Sequence, residues 1–321
     1  MAAGNRKDPK RAKSSDSRVS FMEFVREYPD DAACLDYLWR TRYAEDGEHA
    51  ECPKCEQVRS FKRYDTKQQR QSWTCTACGH HIHPTAGTIF HKSSTSLALW
   101  FYAIYLMSSS KCGIAAKQLE REIGVNYKTA LRMLHLIREY LMEQDYTGPL
   151  YGKVEADETF IGGKVREGDR AKARREGKPL NRGPATKTRA IVVGAVERKG
   201  QLRATVVPSR GDAHSIVREF VLPGSMVFTD DWMGYEPLTR SGLYRHRRIN
   251  HSQRIYVDGD THTQTIEGFF GHFKTDVRGT HHHISTRWLP GYLNEWVWKW
   301  NHRDDDHAMF RSLIANAAHA D

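Results

Sequence analysis

No stretch of this 321-residue chain comes near the ~18–20 consecutive apolar residues of a membrane span, so no membrane-crossing segment is expected. Nor does an apolar segment follow the N-terminal charges. No secretory signal is read there, and a cytoplasmic location is expected. Acidic residues are the minority charge: 39 Asp and Glu stand against 49 Lys and Arg. The formal net charge of +10 favours a polyanionic partner, nucleic acid before any other. Cysteine is scarce, six residues in all, and a disulfide framework conflicts with a cytosolic chain. What remains, 39% hydrophobic and 27% charged residues, describes a soluble globular protein of about two domains.

Four of the six cysteines carry a pattern. Cys52-Pro-Lys-Cys55 and Cys75-Thr-Ala-Cys78 are separated by 19 residues. Two C-x2-C knuckles at that distance close a tetrahedral thiolate shell around one structural Zn²⁺. Residues 49–92 therefore read as a zinc ribbon, with Phe61, Trp73 and Ile82 on its strands. Cys34 and Cys112 lie outside the pattern and read as structural thiols. Before the ribbon, residues 1–18 form a basic tail without periodicity, expected to be disordered, and residues 19–48 carry two short helices.

Residues 93–147 are helical. Ala116, Leu119, Ile123, Val125, Ala130 and Leu134 fall at the spacing of a small shared core, with Gly124 in the turn between two helices. That is a helix-turn-helix pattern. Its second helix would present Asn126, Tyr127, Lys128, Arg132 and His135 to a DNA major groove; a helical hairpin packed inside the protein is the plainer reading.

The catalytic candidates lie further on. In residues 151–163, YGKVEADETFIGG, period-two alternation puts Glu155 and Asp157 on one strand face and Glu158 on the other. In residues 225–232, SMVFTDDW, Asp230 ends an apolar run that reads as a buried strand. Open α/β sheets place their ligands at such carboxyl ends. In the segment HTQTIEGFFGHFKTDVRG, Ile266, Phe269, Phe270, Phe273 and Val277 share one helix face, with Glu267 and Lys274 on a separate stripe. A strand Asp, a strand-end Asp and a helix Glu are the oxygen-only ligands that suit Mg²⁺ or Mn²⁺. Glu155 and Glu158 are rivals for the first position, and Asp231 for the second.

The blocks VEADETFIGGK, FTDDWMGY, TIEGFFGHFK and YLNEWVWKWNHR, in this order behind a zinc-ribbon pattern, resemble those of bacterial insertion-sequence DDE transposases of the ISXO2-like group. The resemblance covers residues 20–315, and the 36 residues between Asp230 and Glu267 fit the spacing of such enzymes. Two positions depart from the pattern: Gln264 stands in place of Asn, and Asp231 in place of Gly. The resemblance implies an acidic triad of Asp157, Asp230 and Glu267 holding two catalytic ions, with Lys274 as an accompanying basic residue. It implies a DNA transposase that cleaves element ends and transfers them to target DNA. Its partners would be double-stranded DNA and further copies of itself, as a homodimer or larger synaptic assembly.

The strand and helix order supports the same fold. Three strands in a meander, with a basic insertion at 164–188, then a helix, another strand and more helices fit an RNase H-like domain over residues 148–315. The fold class expected is thus mixed α+β and α/β, with the catalytic domain preceded by the ribbon and the helix-turn-helix region. Two other functions use the same features. A DNA-binding regulator would need only the N-terminal modules, and a metal-dependent nuclease on this fold would cut without joining.

Overall fold

The computed structural model describes residues 19–64, 72–143, 148–162, 171, 174–177, 189–249, 260–304 and 309–319. The basic tail and most of the 164–188 insertion lie outside the described residues. The chain divides into two compact units, residues 1–142 with 302–321, and residues 143–301.

In the first unit, α1 (Phe21–Glu27) starts at a capping box in which the Ser20 and Glu23 side chains accept from each other's backbone N–H. The second helix, α2 (Asp31–Arg42), is capped by Asp30. Four antiparallel strands follow in sequential order: β1 (His49–Cys52), β2 (Gln57–Tyr64), β3 (Ser72–Cys75) and β4 (His81–Ile82). Phe61, Trp73 and Ile82 are buried on them as expected. Trp39 of α2 stacks on Trp73 with ring centroids 4.8 Å apart, so the ribbon borrows an aromatic core from the preceding helix.

Next come α3 (Leu97–Ser109), α4 (Ala116–Ile123) and α5 (Tyr127–Leu136), the last continuing in a π-type turn at Ile137–Leu141. Gly124 closes α4 in the left-handed conformation, φ 68°, and Asn126 caps α5. Leu119, Ile123, Ala130 and Leu134 are buried as their spacing predicts. His135 is not presented outward: it is buried with Met133, Leu134 and Ile137, and burial lowers its pKa to about 4. Cys34 is a core residue, whereas Cys112 is exposed rather than structural.

The second unit is built on a five-stranded sheet. Its strands are β5 (Lys153–Gly162), β6 (Arg189–Glu197), β7 (Leu202–Val207), β8 (Met226–Asp230) and β9 (Arg245–Ile249), in the order β7-β6-β5-β8-β9. β5, β6 and β7 form an antiparallel meander; β8 and β9 are added parallel to β5. Helices cover both faces, which is why the central strands are almost continuously apolar. α6 (Ala213–Phe220) and α7 (Glu236–Arg240) pack with Val154, Ala156 and Val193 on one face. On the other, α8 (Gln264–Gly279) and α9 (Leu289–Asn301) pack with Val192, Val196 and Ala204. The α8 residues on that core are the expected Ile266, Phe269, Phe270, Phe273 and Val277, and the tryptophans at 288, 296 and 300 pack around it. The expected catalytic region extends to residue 315. Helix α10 (Met309–His319) instead packs on α3 of the first unit, with Phe310 edge-on to Phe24.

Candidate active site and metal-ligand clusters

β5 and β8 are paired in parallel only from Lys153↔Met226 to Glu155↔Phe228. Two residues further on, where pairing has ceased, stand Asp157 and Asp230. The same register places them side by side on one face at the carboxyl end of the sheet. One carboxylate oxygen each of Asp157, Glu158 and Asp230 lies within 4.8 Å of the others. It is Asp230, not Asp231, that joins this group.

Glu267 lies in the first turn of α8, where Thr263 Oγ1 donates to its Oε1 at 2.6 Å. It stands outside the tight cluster but close enough to repel the Asp157 charge. Lys274, two turns along the helix, attracts that charge. The helix approaches the sheet closely because residue 194, the β6 partner of Asp157, is glycine. A Cβ there would meet Ile266 Cδ1 and the Phe270 ring at 3.0 Å.

Burial, first of all, and then the charges of Glu158 and Asp230 push the Asp157 carboxyl well above the usual carboxylate range. Such crowding of anions is what a divalent cation relieves, and an all-oxygen donor set fits a hard ion. Burial likewise lowers the pKa of Lys274.

The two rivals of Asp157 have other occupations. Glu155 is fully buried and caps α8, accepting from the Thr265 and Ile266 backbone N–H groups at 2.7 and 3.2 Å. Arg198 Nε donates to its other oxygen at 2.8 Å. It therefore fixes the start of the helix that carries Glu267. Glu158 faces the α6–α7 side, as alternation requires, and binds Arg210 and Tyr235 there. Its oxygen nevertheless reaches the cluster, because at the splayed strand end both faces open onto the same edge. Alternation alone points it away; the sequence signal for its entry is the adjacent Asp157-Glu158 pair.

In the first unit, the four thiolate candidates Cys52, Cys55, Cys75 and Cys78 converge, one Sγ from each within 4.8 Å of the rest. Burial opposes ionisation of Cys75, but the N–H groups of Cys78 and Ala77 outweigh it and bring the thiol to about 7. A set of four thiolates fits zinc. Asn126, Tyr127, Lys128 and Arg132 are all exposed on the second helix of the α4–α5 pair. Asn126 is committed to its cap, accepting from Thr129 N at 2.9 Å, and Lys117 lies over the Tyr127 ring at 5.3 Å. No described helix is long and apolar enough to cross a membrane.

Comparisons with known proteins agree with this division. Residues 149–301 match the ISXO2-like transposase domain, and residues 29–81 match the transposase zinc-ribbon domain. An uncharacterized protein in transposable element ISH50 of Halobacterium salinarum is 28% identical over 245 residues, covering 74% of this chain and 77% of that protein. An uncharacterized transposase-like protein of Haemophilus influenzae is 31% identical over 108 residues, 33% of this chain and 85% of that protein. No solved structure matches.

Proposed function

Because the chain belongs to the ISXO2-like transposase family, we propose that it is the DNA transposase of a bacterial insertion sequence, acting in the cytoplasm on double-stranded DNA. The observation that carries this reading is the convergence of Asp157 and Asp230 at the sheet's carboxyl edge, with Glu267 and Lys274 within electrostatic reach of Asp157 from α8. The strand order, with β6 antiparallel to the other four, supports reading this unit as an RNase H-like domain.

Asp157, Asp230 and Glu267 are the residues that would hold two Mg²⁺ or Mn²⁺ ions, which supply charge relief to the attacking and leaving oxygens of a phosphodiester. The protein's own part is placement. Glu155 anchors the first turn of α8, Gly194 lets it lie close, and together they set Glu267 against Asp157. Lys274 contacts a phosphate near the scissile bond. The reaction is hydrolysis at the element end, followed by attack of the released 3′-hydroxyl on target DNA, with no covalent enzyme intermediate. Joining two ends calls for a dimer or larger synaptic assembly. The ribbon, its zinc and the α4–α5 pair recognise the ends, with Tyr127, Lys128 and Arg132 toward DNA and Asn126 chiefly organising the turn.

The test is a strand-transfer assay with oligonucleotides copied from the DNA flanking the gene, a plasmid target and Mg²⁺. Wild type joins ends; Asp157→Asn and Glu267→Gln bind the ends but do not join. Cutting without joining would make the protein a nuclease. If all three bind equally and none reacts, even in Mn²⁺, the carboxylates are not an active site.

A further inference from the structure

Arg210 is held in an unusual way for a partly exposed arginine. It opens the short 3₁₀ turn Arg210–Asp212 after β7. That strand runs parallel to β5 and β8, so the turn lies at the same carboxyl edge as the acidic cluster. The guanidinium bonds to Glu158 through Nε and Nη2. The Glu158 side chain is only 2% exposed, and its second oxygen accepts from Tyr235 Oη at 2.6 Å. One face of the guanidinium lies 3.8 Å from the centre of the Trp232 ring.

Trp232 is fixed in turn. Its backbone N–H donates to Asp230 Oδ1 at 3.1 Å, and its ring lies over Gly234, where a Cβ would stand 2.2 Å from indole carbons. The FTDDWMGY block thus builds a cradle for one cation. An arginine side chain loses rotamer entropy when fixed. The stack, the ion pair and the phenol behind it offset that loss before any substrate arrives.

A counterion for Glu158 alone would need none of this to be open to solvent. Yet Arg210 is 36% exposed and its Nη2 lies 3.9 Å from Asp230 Oδ2. Its Nη1 has no acceptor among the described residues. A planar fork with spare donors, immobilised beside the acidic cluster, matches the non-bridging oxygens of a phosphodiester. The geometry points to Arg210 as a further catalytic residue, contacting a DNA phosphate at or next to the scissile bond, with Glu158, Tyr235 and Trp232 as positioning residues that hold it there. This rests on the transposase reading. The contact moves no proton and forms no bond; it places positive charge where the carboxylates would otherwise repel the backbone.

The test uses the full-length protein and duplex oligonucleotides copied from the flanking DNA, each with one phosphate near the 3′ end replaced by a neutral methylphosphonate. Binding is measured in Ca²⁺ and joining in Mg²⁺. In wild type, one replacement near the end weakens binding about tenfold, the size of a charge-assisted hydrogen bond. R210Q is weakened by a similar factor on the unmodified duplex and loses nothing more from that one replacement, while replacements elsewhere still cost it as much as wild type. R210Q alone leaves buried Glu158 without its guanidinium, so the double variant E158Q/R210Q is measured beside it. The same position-specific loss of sensitivity is expected there. If R210Q binds as wild type does, or if its losses add to those of every methylphosphonate, the proposal falls. Wild type that binds with the predicted pattern but never joins overturns strand transfer and leaves the Arg210 contact standing. Wild type that binds no duplex overturns both.

Discussion

The ribbon and the carboxylate edge each gather ligand-type side chains within 4.8 Å of one another, yet they are built by opposite means. The four cysteines lie within 27 residues of sequence, on two turns of one small sheet whose apolar core is brief. The clustered acidic residues come from β5 and β8, with Glu267 of α8 nearby, and are brought together by a sheet with an apolar core on each face. In the first case the ligands help to make the fold. In the second the fold forces anions together and bears the repulsion. Removing a ligand should therefore weaken the ribbon and relax the carboxylate edge.

The largest effect expected is on the ribbon. Zinc-coupled folding of such modules is on the order of 10–16 kcal/mol in peptides near neutral pH. Cys75→Ser, or a strong chelator, should release β1–β4 from hydrogen-exchange protection while β5–β8 stay protected. A ribbon that keeps its protection after zinc is stripped would remove the contrast. Next comes Gly194→Val. Its branched side chain drives into Ile266 and Phe270, and overpacking of this kind costs about 1–3 kcal/mol. Because α8 must shift to admit it, joining should fall far more than thermal stability, whereas DNA binding holds. Equal losses of binding and joining would show that the close approach of α8 does not set Glu267.

Asp157→Asn should go the other way. It removes a carboxyl whose ionisation is opposed by burial first and then by Glu158, Asp230 and Glu267. In EDTA at neutral pH the catalytic unit should gain stability, because the folded state no longer holds a carboxyl that resists ionisation, while joining is abolished. A clear loss of stability in EDTA would mean that the carboxylates already support one another without metal.

Much of this was legible because the signals are local. Two C-x2-C knuckles need no tertiary information, and the apolar runs of β6 and β8 and the α8 stripe follow from burial and periodicity alone. What stayed hidden depends on pairs far apart in sequence. Glu155 is visible as a strand carboxylate, but its role as the cap of α8 is set by Thr265 and Ile266, more than a hundred residues away. Glu158 obeys alternation and still enters the cluster, because the strands part just after Glu155↔Phe228. His135 follows Leu134 at the rim of the α5 stripe; the π-type turn after Leu136 widens the buried face, and the ring goes inside. Gly194 reads as one small residue in an apolar strand until its partner across the sheet is known to be Asp157.

The smallest effect sharpens the comparison most, because the two sites should respond to pH with opposite sign. The Asp157 carboxyl titrates well above its ordinary value of 3.8, through burial first and then its anionic neighbours, and Glu158 is raised in the same direction. Above pH 3.8 the unfolded chain has released a proton that the metal-free folded unit still keeps. Stability therefore falls as pH climbs from 3.8 toward the raised pKa. The ribbon behaves inversely: its thiolates compete with protons for zinc, so acid weakens it and neutral pH restores it. In EDTA, unfolding of β5 and β6 should thus be easier at pH 8 than at pH 5, with a shallower slope in Asp157→Asn and a residual slope from Glu158. In the zinc-loaded protein, β1–β4 should be the weaker partner at pH 5 and recover by pH 8. If the metal-free catalytic unit instead gains stability from pH 5 to 8, and Asp157→Asn gains it equally, the crowded carboxylates are not repelling one another. The two clusters would then differ only in their ligands and not in the way the fold holds them.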